Sequence, residues 1–94
     1  MKPSLDARVI APDHVLAQEL EGEAVLLNLQ SERYYSLDDV GTRMWNSLTT
    51  APSIAAAHSA LLEEYDVDSE RLEQDLLDLV GKLAADGLVE LREA

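Results

Sequence analysis

The chain changes texture about a third of the way along. From about residue 14 to 37 apolar and polar positions alternate, with β-branched and aromatic residues among them. From about 38 to 86 the apolar positions recur with helical spacing. The first part divides into three short runs. His14-Val15-Leu16-Ala17-Gln18-Glu19-Leu20 ends at a Glu21-Gly22-Glu23 turn signal. Ala24-Val25-Leu26-Leu27-Asn28-Leu29 is the most apolar run and is expected in the middle of a sheet. After Gln30-Ser31-Glu32 comes Arg33-Tyr34-Tyr35-Ser36-Leu37. Turn signals this close together predict an antiparallel meander. Its last run carries no Pro and one Arg, which leaves a weakly protected edge.

Three helices are predicted next. The first starts near Asp38, an N-cap residue, and runs to about Leu48; Val40, Met44, Trp45 and Leu48 share its core face. The second runs from about Ser53 to Tyr65, with Pro52 placed in its first turn and Ile54, Ala57, Leu61 and Leu62 inward. The third runs from Ser69, as N-cap, to Asp86, and Gly87 stops it. It carries two apolar stripes. Leu72, Leu76, Leu79 and Leu83 form one, and Leu77, Val80 and Ala84 the other, which is more than one core-facing stripe needs. The first stripe reads either as plain core or as the wall of a groove. Leu88 to Leu91 reads as a short strand or a packed tail. Residues 1–13, with Pro3 and Pro12, read as a loosely held arm, and residues 14–91 as a single domain. The fold class is α+β, a winged helix-turn-helix: a three-stranded antiparallel sheet followed by three helices.

With 94 residues there is room for one thin core and little for a deep catalytic cavity. The absence of Cys removes disulfides, thiolate metal sites and cysteine nucleophiles. His14 and His58 stand far apart, without metal-ligand spacing, and the acidic run Asp66-Val67-Asp68-Ser69-Glu70 lacks the glycine of a calcium loop. No phosphate loop or nucleophile elbow appears. A binding module is therefore expected rather than an enzyme, with no cofactor and no metal. The net charge of −12 disfavours nucleic acid and anionic membrane as partners. A DNA-reading third helix would set Arg71 and Lys82 against Glu70, Glu73, Asp75, Asp78 and Asp86. Lacking a signal peptide or a membrane-length apolar run, the protein is expected in the cytoplasm.

An ordered set of segments resembles a known family. Leu27-Asn28-Leu29 is followed by Tyr34-Tyr35-Ser36-Leu37-Asp38, Val40-Gly41 and Met44-Trp45. Leu61-Leu62-Glu63-Glu64-Tyr65-Asp66-Val67 and Leu83-Ala84-Ala85-Asp86-Gly87-Leu88-Val89 come after. Together these resemble the family of the pyrroloquinoline-quinone biosynthesis protein D, whose domain is the RiPP recognition element, over roughly residues 14 to 91. The resemblance implies a domain that binds the leader segment of a ribosomally made precursor peptide. The leader adds as a strand to the third strand, lies against the third helix, and is delivered to a processing enzyme. The paired tyrosines look most like the stand-alone members of lasso-peptide pathways, whose partner is a leader peptidase. The alternative within the family is a chaperone that presents a precursor to a radical SAM enzyme; a winged-helix DNA-binding regulator is the further one. The implied peptide-binding residues are Glu32, Arg33, Tyr34, Tyr35, Ser36 and Leu37 on the strand side. On the helix side they are Leu72, Asp75, Leu76, Leu79 and Leu83.

Overall fold

The computed structural model describes residues 4–93. Its strands and helices are β1 (Arg8–Ile10), β2 (Val15–Leu20), β3 (Glu23–Asn28), β4 (Arg33–Ser36), α1 (Asp39–Thr50), α2 (Ile54–Glu64), α3 (Ser69–Ala85) and β5 (Glu90–Arg92). β2, β3 and β4 form an antiparallel sheet in that order, so the most apolar run is indeed central. The chain is mixed α+β, three strands leading into three helices. Alternation along β3 decides which face meets the helices. Ala24, Leu26 and Asn28 are buried, while Val25 is exposed on the opposite face. Leu26 joins Leu48, Ile54, Leu61, Leu76, Val80 and Leu83 as the fully buried centre of the core.

The N-terminal segment departs from the expectation of a loose arm. Arg8–Ile10 pairs antiparallel with Glu90–Arg92 as a second, two-stranded sheet. Ala7 and Val9 are each only 1% exposed. The Ala7 and Leu5 carbonyls accept from the amides of Ile54 and Ala55, at 2.9 Å each. These are first-turn amides of α2, which have no partner within the helix. The segment is thus held by core burial and by capping another element, and the packed unit begins near Leu5 rather than at residue 14. Residues 1–3 of the expected arm lie outside the described residues. The Leu88-to-Leu91 tail divides in two: Leu88 and Val89 are buried, and the strand begins at Glu90.

The helix starts are set by side-chain caps. Asp38 accepts from the Gly41 amide at 2.7 Å and Ser53 from the Ala56 amide at 3.1 Å. Pro52 precedes the cap of α2 instead of sitting in its first turn. The cap of α3 is Asp68, which accepts from the Arg71 amide at 3.0 Å, and Ser69 is the first helical residue. A carboxylate both accepts that bond and faces the positive end of the helix dipole. At the other end of α3, Gly87 takes φ +72°, a conformation an L side chain resists. Gly81 is approached by nothing within 4 Å of where a Cβ would stand, so close backbone packing does not account for it.

Two buried polar side chains hold the sheet to the helices. Thr42 in α1 is 1% exposed. Its hydroxyl accepts from the Ala24 amide at 2.8 Å and donates to the Leu37 carbonyl at 3.4 Å, while the Leu37 amide donates to the Ala24 carbonyl at 2.8 Å. The hydroxyl therefore completes the last rung of the β3–β4 ladder as the chain turns into α1. Asn28 is 5% exposed. Its Oδ1 accepts from the amides of Gln30 and Ser31, at 2.9 and 3.2 Å, which shapes the β3–β4 turn. Its Nδ2 donates to the carbonyls of Asp86 and Gly87, at 3.2 and 3.5 Å, at the end of α3.

Leaving a buried donor or acceptor unsatisfied costs about 1–3 kcal/mol. Thr42→Val keeps the shape and orphans the Ala24 amide. It should lower the stability measured by urea unfolding by about 1–3 kcal/mol, and Thr42→Ser should recover most of the loss. Asn28→Ala should cost a similar amount and leave the urea dependence of the unfolding free energy unchanged. A loss below about 0.5 kcal/mol for either variant would mean that these contacts do not secure the sheet.

Candidate functional site

β4 is an edge strand, and the ladder shows which of its groups are open. The Leu37 amide donates to Ala24, so residues 24, 26 and 28 of β3 share the bonded rungs with 37, 35 and 33. In an antiparallel pair the intervening residues turn their amides and carbonyls the other way. Tyr34 and Ser36 thus direct their backbone groups to the open edge. Their side chains lie on the face opposite the helices, where Tyr34 is 73% exposed. Tyr35, paired with the buried Leu26, points to the helix side and is half-buried.

Two cavities lie on this side of the fold; β4 lines one of them and α3 the other. One, of about 150 Å³, lies at the start of β4, between Arg33, Tyr34, Tyr35 and Asn28 on the sheet side and Asp86 and Leu88 after α3. The other, of about 180 Å³, lies among the three helices and includes no residue of β4. Val40 and Met44 of α1, Leu61 and Tyr65 of the α2 end, and Arg71, Leu72 and Asp75 of α3 line it, with Val67 beside them. Neither cavity includes a residue of β2, the other edge of the sheet. At 100° per residue, Leu72, Asp75 and Leu79 project from nearly the same side of α3, and the C-cap Asp86 continues that line just past its end. Leu79, half-buried, stands between the cavities on that line. From Asp75 to Asp86 the helix rises roughly 16 Å, which five residues of extended chain would span.

The implied site residues fall into three groups. Arg33, Tyr34, Tyr35, Leu72 and Asp75 line the cavities, and Leu79 lies on the helix face between them. Glu32 and Ser36 are exposed beside the edge, Glu32 with a left-handed φ of 61° at the hairpin turn. Leu37, Leu76 and Leu83 differ from the expectation. They are 5%, 0% and 0% exposed and belong to the core, so they offer no side-chain surface to a ligand. The reason is phase. Leu72, Leu76, Val80 and Leu83 form one buried stripe drawn from both of the stripes read in the sequence, which leaves Leu79 at its margin. Val40 also departs from its assigned core face. It is 44% exposed, at the mouth of the larger cavity.

Sequence reasoning missed several lining residues. Val67, apolar between two aspartates, was open to notice; it is 49% exposed. Asn28, a lone amide ending the most apolar strand, was another signal. Arg71, Tyr65 and Asp86 carry none that distinguishes them from other surface residues. Among the described residues, no group of three or more His, Cys, Asp or Glu is placed to hold a metal ion. No helix among them is long and apolar enough to cross a membrane.

Comparison with known proteins places this geometry. Two solved structures share the fold. "TbiB1 in Complex with the TbiA(beta) Leader Peptide" is 36% identical, with a TM-score of 0.81 over 86% of this chain and 94% of that one. "Lasso peptide synthetase B1 complexed with the leader peptide" is 25% identical, with a TM-score of 0.76 over 90% of this chain and 98% of that one. No curated protein matches. Residues 23–89, from the first residue of β3 to the buried Val89, match the profile described as Coenzyme PQQ synthesis protein D (PqqD). Since that match spans well over half of the sequence, the chain belongs to the PqqD family.

Proposed function

We propose that this protein binds the leader segment of a ribosomally made precursor peptide as an added strand on β4. It then presents the precursor to a processing enzyme, a leader peptidase of a lasso-peptide pathway, and leaves the peptide itself intact. The observation that carries the reading is the open β4 edge, with one cavity against the start of β4 and a second lined by α3. It occurs in a chain 36% identical to TbiB1, which was solved with a leader peptide.

The physical division of labour follows from the edge. Backbone groups of Tyr34 and Ser36 pair with any extended segment, so they supply affinity with little regard to sequence. Those groups are held by water beforehand, and exchanging water for peptide amides costs little desolvation. Selectivity comes from alternate leader side chains directed at α3. The larger cavity, walled by Val40, Met44, Tyr65 and Leu72, suits a bulky apolar side chain. The smaller one offers Arg33, Asp86 and the Tyr35 ring, and suits a side chain with a polar end. Leu79 between them meets the middle of the added strand.

Mixing the protein with its pathway's precursor should give heat of binding in calorimetry and an unchanged peptide mass. Cleavage by the protein alone would overturn the reading. Apolar anchoring also predicts a small salt dependence, so a steep fall in affinity between low and moderate salt would count against it.

Leu79→Asp sets a charge on the helix face between the cavities while leaving the backbone and the fully buried core alone. Leader affinity should fall roughly thirty-fold, about 2 kcal/mol, with an unchanged circular dichroism spectrum. On titration with leader, the largest amide shifts should fall between Glu32 and Leu37 and between Leu72 and Leu83. Largest shifts on β2 or α2 instead would refute the assignment of the edge.

A further inference from the structure

The face of the sheet turned away from the helices is uncovered and apolar. Among the described residues, five of the eight exposed large hydrophobic side chains lie on it or at its end: Leu16 at 53%, Leu20 at 74%, Val25 at 41%, Leu29 at 50% and Tyr34 at 73%. The register sets Leu16, Leu27 and Tyr34 side by side across all three strands. A contiguous patch of this kind on a small domain marks an interaction surface more often than a single exposed Leu does. Its ends are acidic. Glu21 and Glu23 stand at the β2–β3 turn and Glu32 at the β3–β4 turn. From residue 15 to 36 the only Lys or Arg is Arg33, which alternation places on the helix side.

We propose that this face docks the processing enzyme, through an apolar patch on that enzyme ringed by Lys and Arg. The proposal rests on the leader-binding reading above and names where its second partner sits. Two observations select this occupant. The first is charge. A second copy of the chain would bring −12 against −12 and acidic rim against acidic rim, whereas a basic-rimmed partner is attracted. The second is continuity with the leader edge. Tyr34 belongs both to this face and to the open strand. A leader strand added beside it widens the sheet by one strand, and every second leader side chain then lies on the same face as Leu16 and Tyr34. The enzyme would meet a surface built jointly from the domain and its bound leader. The loaded form would therefore be preferred over the empty one, and the leader would be held at the enzyme without a direct enzyme–leader pocket.

The test separates the two partners by using β2, two strands away from the leader edge. Leu16→Gln with Leu20→Gln should leave the circular dichroism spectrum and leader affinity unchanged. In cleavage of the full-length precursor by the pathway's leader peptidase, the concentration of this protein needed for half-maximal rate should rise about tenfold or more. The maximal rate should be regained at high concentration. Glu21→Lys with Glu23→Lys should raise that concentration at low salt, and the difference should shrink as salt is added. This second pair keeps the idea open to refutation even if the leucine variant folds poorly. Wild-type behaviour of either pair in the cleavage assay would overturn the proposal, as would a wild-type dimer in sedimentation that the leucine variant disperses. Failure of the wild-type protein to bind leader at all would instead strike the reading on which it rests.

Discussion

The distance between the β4 edge and α3 is what a groove at this site requires, and Asn28 fixes it. One end of its amide organises the β3–β4 turn, and the other is tied to the carbonyls of Asp86 and Gly87 just past α3. An apolar residue at this position would pack but would hold neither, because the turn amides and the helix-end carbonyls would each lack a partner. The ends of helices are where carbonyls go unmet, so an amide that reaches them is well placed to lock a helix to a sheet. His14 adds to the same junction, with Nε2 3.2 Å from the Gly87 carbonyl. Thr42 does the corresponding work at the far end of β4, so the strand is pinned at both ends.

Much of this was legible in the sequence because it depends on local period. The apolar character of the second run and the close spacing of the turn signals gave the order of the meander, and Asp38, Ser53 and Gly87 marked helix limits that the backbone obeys within a residue. The pairing of β1 with β5 was not legible. Three residues are too few to show alternation, and Arg8 meets Arg92 from the other end of the chain. Tertiary contact alone makes those strands, through burial of Ala7, Val9, Leu88 and Val89 beside them.

The site was legible by address more than by side chain. The edge followed from turn spacing, and α3 from its excess of leucine. Which leucines face the groove depended on a rotation of one helix by a fraction of a turn, and sequence period does not resolve that when apolar residues cover more than half of its circumference. Leu76 and Leu83 went to the core and Leu79 to its margin. The cavities also draw on Val40, Tyr65 and Val67, which three different segments bring together, and no spacing rule connects such residues.

The antiparallel pairing of β1 with β5 sets Arg8 opposite Arg92, so the first and last strands meet at one corner of the fold. Tension drawn through the C-terminal end would load the rungs one after another from Arg92, as a zipper is opened, and not all together as in shear. The opening rung carries two like charges. A machine that threads proteins from the C-terminal end would thus meet little mechanical resistance at first, whereas from the other end it would first have to free Leu5 and Ala7 from α2. A polypeptide joined at either end, by contrast, would hang from a corner remote in sequence from β4, which suits the domain to service as one module within a longer chain.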